Sequence, residues 1–298
     1  MRLPFALVAF PLLTGCLTLP APIVVTVPPA NTNLAAADAA FARPDGETAR
    51  PRTAGATSDP VLAQIAQAAA AVHQQRCRVA IENLANVDTC GFKRRIVRST
   101  TQPIPGLDGT VHTLPVLVGT ESVFSNGALE ITQRNLDLAI DGDGFFAVTT
   151  PDGSTGYSRA GSMQVNAEGK IVSNDGFVVL PEITIPTDTL ELAIDPEGRV
   201  NVRTAGSPDC TTLCGQLNLH RFINPAGLRI DGTVWRPTDA SGVPITHTPG
   251  STGLGLLKQG FLERSNVEAN REAMELQFAE RQYQAIQDAM RRLGQVMP

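Results

Sequence analysis

Ser265 to Met297 reads SNVEANREAMELQFAERQYQAIQDAMRRLGQVM. Apolar residues fall at Leu276, Ala279, Tyr283, Ile286, Met290, Leu293 and Met297, in steps of three and four. That spacing places one narrow apolar seam along an otherwise polar helix. The residues between are mostly Glu, Arg, Gln and Ala, good helix formers, and no Gly or Pro interrupts the run before Gly294. A helix with so narrow a seam needs a second helix to cover it, because most helical stability comes from packing rather than propensity.

A matching helix is expected near the other end of the chain. Ser58 or Asp59 can cap it, Pro60 suits its first turn, and the pattern runs to about Asn86. Leu62, Ile65, Ala69, Val72, Arg76, Val79 and Asn83 repeat the three-four spacing, with Arg76 and Asn83 placing polar groups on the seam. Such groups either set the register of a helix pair or mark a partly solvated helix. The expected fold class is mixed α and β, with the two terminal helices pairing in a coiled-coil-like layer. An isolated pair covers little apolar surface, so the helices are expected to be poorly ordered in the free monomer and to become ordered when copies of the chain stack.

Between the helices the period changes. Turn signals recur at Asp141-Gly142-Asp143-Gly144, Asp152-Gly153, Ala167-Glu168-Gly169-Lys170, Asn174-Asp175-Gly176, Asp195-Pro196-Glu197-Gly198 and Asp231-Gly232. Short apolar runs lie between them: Leu136–Ile140, Phe145–Thr149, Gly169–Val172, Phe177–Leu180, Leu190–Ile194, Val200–Val202 and Leu217–Phe222. These predict a β-rich middle domain of short hairpin strands, sandwich or barrel-like. Residues 96–123 and 236–260 show no clean period and read as extended connections.

The 298 residues allow a sizeable core, and 26 glycines and 22 prolines with 5% aromatics suit turns and short strands. A formal net charge of −5 argues against a broad basic field for nucleic acid. At the start, Arg2 precedes an apolar run from Leu3 to Leu13 that is too short to span a bilayer. It ends in Leu13-Thr14-Gly15-Cys16, which resembles a bacterial lipobox, with Cys16 as the lipidated residue and a membrane attachment point. Residues 17–58, rich in Ala and Pro, read as a disordered tether. Cys210 and Cys214 are spaced to close a small loop by a disulfide in an oxidising compartment; two free thiols in a surface loop are the alternative.

No His-Glu-x-x-His pair, Gly-x-Ser-x-Gly elbow or phosphate loop is present, and the four histidines are isolated in sequence. The Asp141 run lacks the acidic positions of a calcium loop. No catalytic residue, metal or cofactor is expected, and the chain reads as a non-enzyme.

Five collinear stretches carry a family resemblance. Asn83-Leu84-Ala85-Asn86 through Thr89-Cys90-Gly91-Phe92-Lys93 is similar to the N-terminal signature of the bacterial flagellar rod and hook family, with Cys90 where Thr is common. Gly127-Ala128-Leu129-Glu130 through Asn135-Leu136-Asp137-Leu138-Ala139-Ile140-Asp141-Gly142-Asp143-Gly144-Phe145-Phe146 resembles its central signature. Tyr157-Ser158-Arg159-Ala160-Gly161-Ser162 and Asn166-Ala167-Glu168-Gly169 follow in place, and Gly260-Phe261-Leu262-Glu263-Arg264-Ser265-Asn266-Val267 precedes the last helix as in the family. Together they span most of residues 60–298, and within the family the arrangement is most like distal-rod members.

The resemblance implies a structural subunit of the flagellar basal body that polymerises through its terminal helices and transmits torque from motor to hook. The partners implied are other copies of the chain, other rod and hook proteins, and the rings around the rod, in the periplasm. It also implies an assembly interface at Ile65, Val72, Val79, Asn83, Asn86, Leu276, Tyr283, Ile286, Met290 and Leu293. The alternative is a lipid-anchored accessory protein with a rod-like fold that does not polymerise. The expected division is 1–16 signal, 17–58 tether, 59–93 helix and signature, 94–260 β-rich domain, and 261–298 assembly helix.

Overall fold

The computed structural model describes residues 60–107, 109–251 and 253–295; the leader, Cys16, the tether and the helix cap at Ser58 or Asp59 lie outside them. Helix α1 spans Pro60–Ala85 and α2 spans Ala269–Gln295. The two pack along each other. Asn83 near the end of α1 bonds Glu272 near the start of α2, while Cys77, earlier in α1, lies in the field of Glu280, later in α2, so the pair is antiparallel. The seam is thus covered within one chain: Val72 and Val79 of α1 and Ala279 of α2 are buried, and Leu276, Tyr283, Ile286 and Met290 are half-buried.

Eighteen strands lie between the helices among the described residues. The first two are β1 (Arg95–Pro105) and β2 (Val111–Ser122), followed by β3 (Leu129–Ile131), β4 (Leu138–Asp141), β5 (Phe146–Thr149) and β6 (Thr155–Ser158). Next come β7 (Met163–Val165), β8 (Ile171–Ser173), β9 (Val178–Leu180), β10 (Thr189–Ile194), β11 (Arg199–Thr204) and β12 (Ser207–Gln216). The last six are β13 (Leu219–Arg221), β14 (Arg229–Asp231), β15 (Val234–Arg236), β16 (Ile245–His247), β17 (Leu256–Gln259) and β18 (Phe261–Glu263). A seven-stranded sheet runs in the order β14-β15-β6-β5-β9-β8-β7, with β10-β11-β12 and several two-stranded ladders around it.

Strand β5 shows why the alternating pattern matters. Successive side chains point to opposite faces, so Phe146 and Val148 enter one buried cluster, with Leu138, Ile140, Met163, Ile171 and Val200, while Ala147 joins Phe145, Tyr157, Phe222 and Trp235 in another. Both faces of this strand are therefore covered.

Two expected connections turn out to be strands. Residues 95–122 form a long antiparallel ribbon, β1 on β2, closed at its tip by Gly106 N–H donating to Thr110 O at 2.7 Å. β1 is exposed along most of its length while β2 is mostly half-buried where the ribbon meets α1, and neither strand shows a regular in-out alternation that would mark it in the sequence. Pro103, Pro105 and Pro115 sit where only one partner strand exists, so their missing N–H groups break no second ladder. The C-terminal helix also starts later than residue 261, because Phe261–Glu263 pairs with Leu129–Ile131 as β18 on β3 and commits that backbone to a ladder. The 236–260 connection likewise contains β16 and β17.

Gly161 lies where two backbones cross. A Cβ there would fall 1.5 Å from Leu138 O, whereas one on Gly176, at φ 83°, would meet nothing within 4 Å. Gly161→Ala should therefore destabilise the domain by about 3 kcal/mol through overpacking, and Gly176→Ala by about 1 kcal/mol through backbone strain alone. Thermal melts of the two variants check the ranking; equal losses would contradict it.

Candidate assembly site at the helix junction

Four of the family-like stretches, far apart in sequence, meet where the helix pair joins the β domain. At the end of α1, the Asn83 amide behaves like a short piece of strand: Nδ2 donates to Arg95 O and Oδ1 accepts from Arg95 N, both at 2.9 Å. The same Nδ2 donates to Glu272 Oε2 at 2.9 Å, and Glu272 Oε1 accepts from Arg94 Nε. Arg95 in turn donates to Glu82 at 2.6 Å and to Thr120 Oγ1 at 2.7 Å. One side-chain network thus joins α1, β1, β2 and α2.

Beneath it lies a buried ionic cluster. Lys93, 1% exposed, donates from Nζ to Glu263 Oε1 at 2.6 Å and to Ser125 O at 2.9 Å. The Gly127 N–H donates to the same carboxylate oxygen at 2.8 Å, and Arg159 Nη1 stands 3.8 Å from Oε2. Arg159 is held by Asn126 Oδ1 at 3.0 Å and Gly142 O at 2.9 Å, with its guanidinium 5.6 Å from the Phe145 ring centre. Burial pulls the pKa of Lys93 and of Arg159 below their ordinary values, and the Glu263 carboxylate opposes that shift at both.

Backbone and amide bonds close the joint. Gly91 N–H donates to Glu263 O at 2.7 Å and Arg264 N–H to Ala128 O at 2.8 Å. Asn266 Oδ1 accepts from Arg94 N at 2.6 Å while its Nδ2 donates to Val123 O at 2.8 Å. Gly91 is required twice: its φ is 70°, and a Cβ would fall 2.5 Å from Ala160 N.

Of the residues singled out from sequence, Asn83 is fully buried in this joint, and Asn86 closes α1 locally by donating to Glu82 O at 2.8 Å and accepting from Thr89 Oγ1. Both amides are satisfied within the chain. Ile65 is half-buried on α1; Leu293 falls in α2, with its side chain outside what is described. Lys93, Arg159, Glu263, Glu272 and Asn266 were not singled out. Four of the five stand inside the quoted motifs, but pairing charges 104 to 178 positions apart requires the fold.

The expected bridge between Cys210 and Cys214 is not made. Both are free thiols, and their segment is strand β12 rather than a loop. Along an extended strand a separation of four residues covers about 13 Å, well beyond the roughly 7 Å at which two Cα atoms can still be bridged. Among the described residues no three His, Cys, Asp or Glu side chains gather to hold a metal ion.

Removing Glu263 would leave two cations buried without their counter-charge. Glu263→Gln should therefore lower stability by about 3–5 kcal/mol, against at most about 1 kcal/mol for Arg264→Ala, whose pairs with Asp88 and Glu130 are exposed. Denaturant unfolding of both variants measures the contrast, and a Glu263→Gln loss below 1 kcal/mol would show that the cluster does not hold the joint.

Comparison with known proteins places the chain in a family. Residues 139–202 match the model described as the flagellar hook protein FlgE/F/G D1 domain. The chain is 38% identical over 227 residues to the flagellar basal-body rod protein FlgG of Buchnera aphidicola subsp. Schizaphis graminum, covering 71% of this chain and 87% of that protein. It is 35% identical over 236 residues to the FlgG of Borreliella burgdorferi, covering 71% and 88%. To the flagellar basal-body rod protein FlgF of Escherichia coli it is 31% identical over 198 residues, covering 64% and 77%. With FlgG-type rod proteins 35–38% identical and matched over most of their length, the chain belongs to the flagellar basal-body rod protein family.

Proposed function

We propose that the chain is a structural subunit of the flagellar basal-body rod, in its distal part, which polymerises through α1 and α2 and carries torque from motor to hook. The observation that carries this reading is on α2. Its seam is turned to α1, yet Met274 and Phe278, one turn apart, stand 71% and 53% exposed on an ordered helix. Large apolar and aromatic side chains of this kind are enriched at protein interfaces. α1 adds Leu62 and Ile81, also exposed. The helix pairs then form a coiled-coil-like inner layer in which each chain covers its neighbour's outer faces, with Ile65 and the end of α2 around Leu293 extending the contact. The β domain supplies lateral contacts, and other rod and hook proteins and the surrounding rings are the remaining partners, in the periplasmic part of the basal body.

The buried joint suits a torque-bearing part. Many cooperative hydrogen bonds fix the helix pair to the β domain, so a rotation imposed on one reaches the other without a hinge. No helix among the described residues is long and apolar enough to cross a membrane. A membrane attachment would rest on Cys16 and its lipobox, and intact-mass analysis of the mature chain tests it: a lipidated Cys16 at the N-terminus supports attachment, and a retained Met1 excludes it.

Phe278→Asp places a carboxylate on the outer face only. It should leave the monomer's thermal melt within about 0.5 kcal/mol of wild type while abolishing incorporation into basal bodies and motility. Ile286→Asp, on the half-buried seam, should lower the melt as well. A Phe278→Asp strain that swims normally would remove the outer face of α2 as an assembly surface.

A further inference from the structure

Two polar residues interrupt the α1 seam, and the structure treats them differently. Asn83 is fully satisfied inside the chain. Arg76 is half-buried and lines a cleft of about 370 Å³ between α1, β1 and α2, together with Arg94, Arg95 and Arg271. Arg94 is neutralised by Glu272 and Arg95 by Glu82. Arg76 and Arg271 have no carboxylate at ion-pair distance among the described residues, and Arg76 adds to the shift of His73 to lower pKa. Val79, Ala80, Ile96 and Val97 also line the cleft, and besides Glu272 it contains one further carboxylate, Glu275.

We propose that this cleft receives carboxylate side chains of a second copy of the chain. The proposal rests on the assembly reading above and names the chemistry of one of its contacts. Guanidinium groups are weakly hydrated and match carboxylates in a planar two-bond geometry, which makes arginine the usual cation of interface ion pairs. The chain carries 29 acidic against 24 basic residues, so a second copy brings surplus carboxylates to a site with two unpaired cations. The cleft is also continuous with the exposed Met274 and Phe278 face, since Arg271 and Glu275 border both. Each subunit would then present an apolar anchor beside a charge-selective notch, and the notch would fix the register at which copies dock.

The test uses full-length chain in motile cells. The Arg76→Glu/Arg271→Glu double variant should show about a tenfold or greater fall in copies incorporated into basal bodies, since like-charge contacts at an interface cost several kcal/mol. The Arg76→Lys/Arg271→Lys variant, which keeps the charge but loses the planar two-bond geometry, should show a smaller fall than charge reversal. A photo-crosslinking amino acid substituted at Arg271 should give an adduct of twice the chain mass, mapping to a peptide that contains Asp or Glu. Should charge reversal lower the monomer melt, Arg76→Gln/Arg271→Gln is scored instead: reduced incorporation supports the proposal and unchanged incorporation overturns it. Wild-type incorporation of the charge-reversed chain, or a cross-link only to a different protein, also overturns it. Incorporated Phe278→Asp chain would sink the assembly reading itself; exclusion of Phe278→Asp together with full incorporation of the charge-reversed chain would sink the cleft alone.

Discussion

The carboxylate of Glu263 is the point on which this structure turns. It sits 1% exposed between Lys93 and Arg159 and also accepts the Gly127 N–H. A buried ion pair contributes little net stability over an apolar substitute, because desolvating the charges nearly cancels their attraction. Breaking one is a different matter. Once the chain has placed Lys93 and Arg159 in the interior, Glu263 must be there, and its strand, β18, must pair with β3 in one register. The cluster specifies the arrangement more than it strengthens it.

That specification is passed outward. Glu263 is followed within ten residues by Asn266 and Glu272, which bind the Arg94 backbone and the Arg94 and Asn83 side chains. The first turn of α2 is therefore oriented before its seam meets α1. An antiparallel pair of long helices has several registers of similar apolar burial; Asn83 against Glu272 selects one. For a subunit that passes rotation from its helices to its β domain, a joint built from directional hydrogen bonds resists twisting better than apolar packing, which is non-directional.

Much of this was legible in the sequence. The period of the α2 seam and the Pro60 start of α1 identify both helices closely, because helical periodicity over many residues is a redundant signal. The Asp-Gly and Asn-Gly turns mark the hairpins for an equally local reason, and the collinear motifs point to the family. The β1-β2 ribbon was hidden because its residues do not alternate between buried and exposed: β1 is mostly exposed and β2 mostly half-buried. The late start of α2 was hidden because Phe261-Leu262-Glu263 is held by a partner strand more than a hundred residues earlier. Lys93, Arg159 and Glu263 look like ordinary surface charges until the fold removes water from around them. The outer face of Met274 and Phe278 was masked by the stronger seam beside it.

The central claim is that the ionic joint holds both helices in place in the single chain, leaving their outer faces for assembly. Native-state hydrogen exchange on the isolated monomer tests it most directly. The account predicts that amides in the second half of α1 and the first half of α2 exchange with the same opening free energy as those of β5 and β9, and that Glu263→Gln lowers all of them together. Helix amides that exchange at unstructured rates in the monomer, and gain protection only in assembled rods, would contradict it.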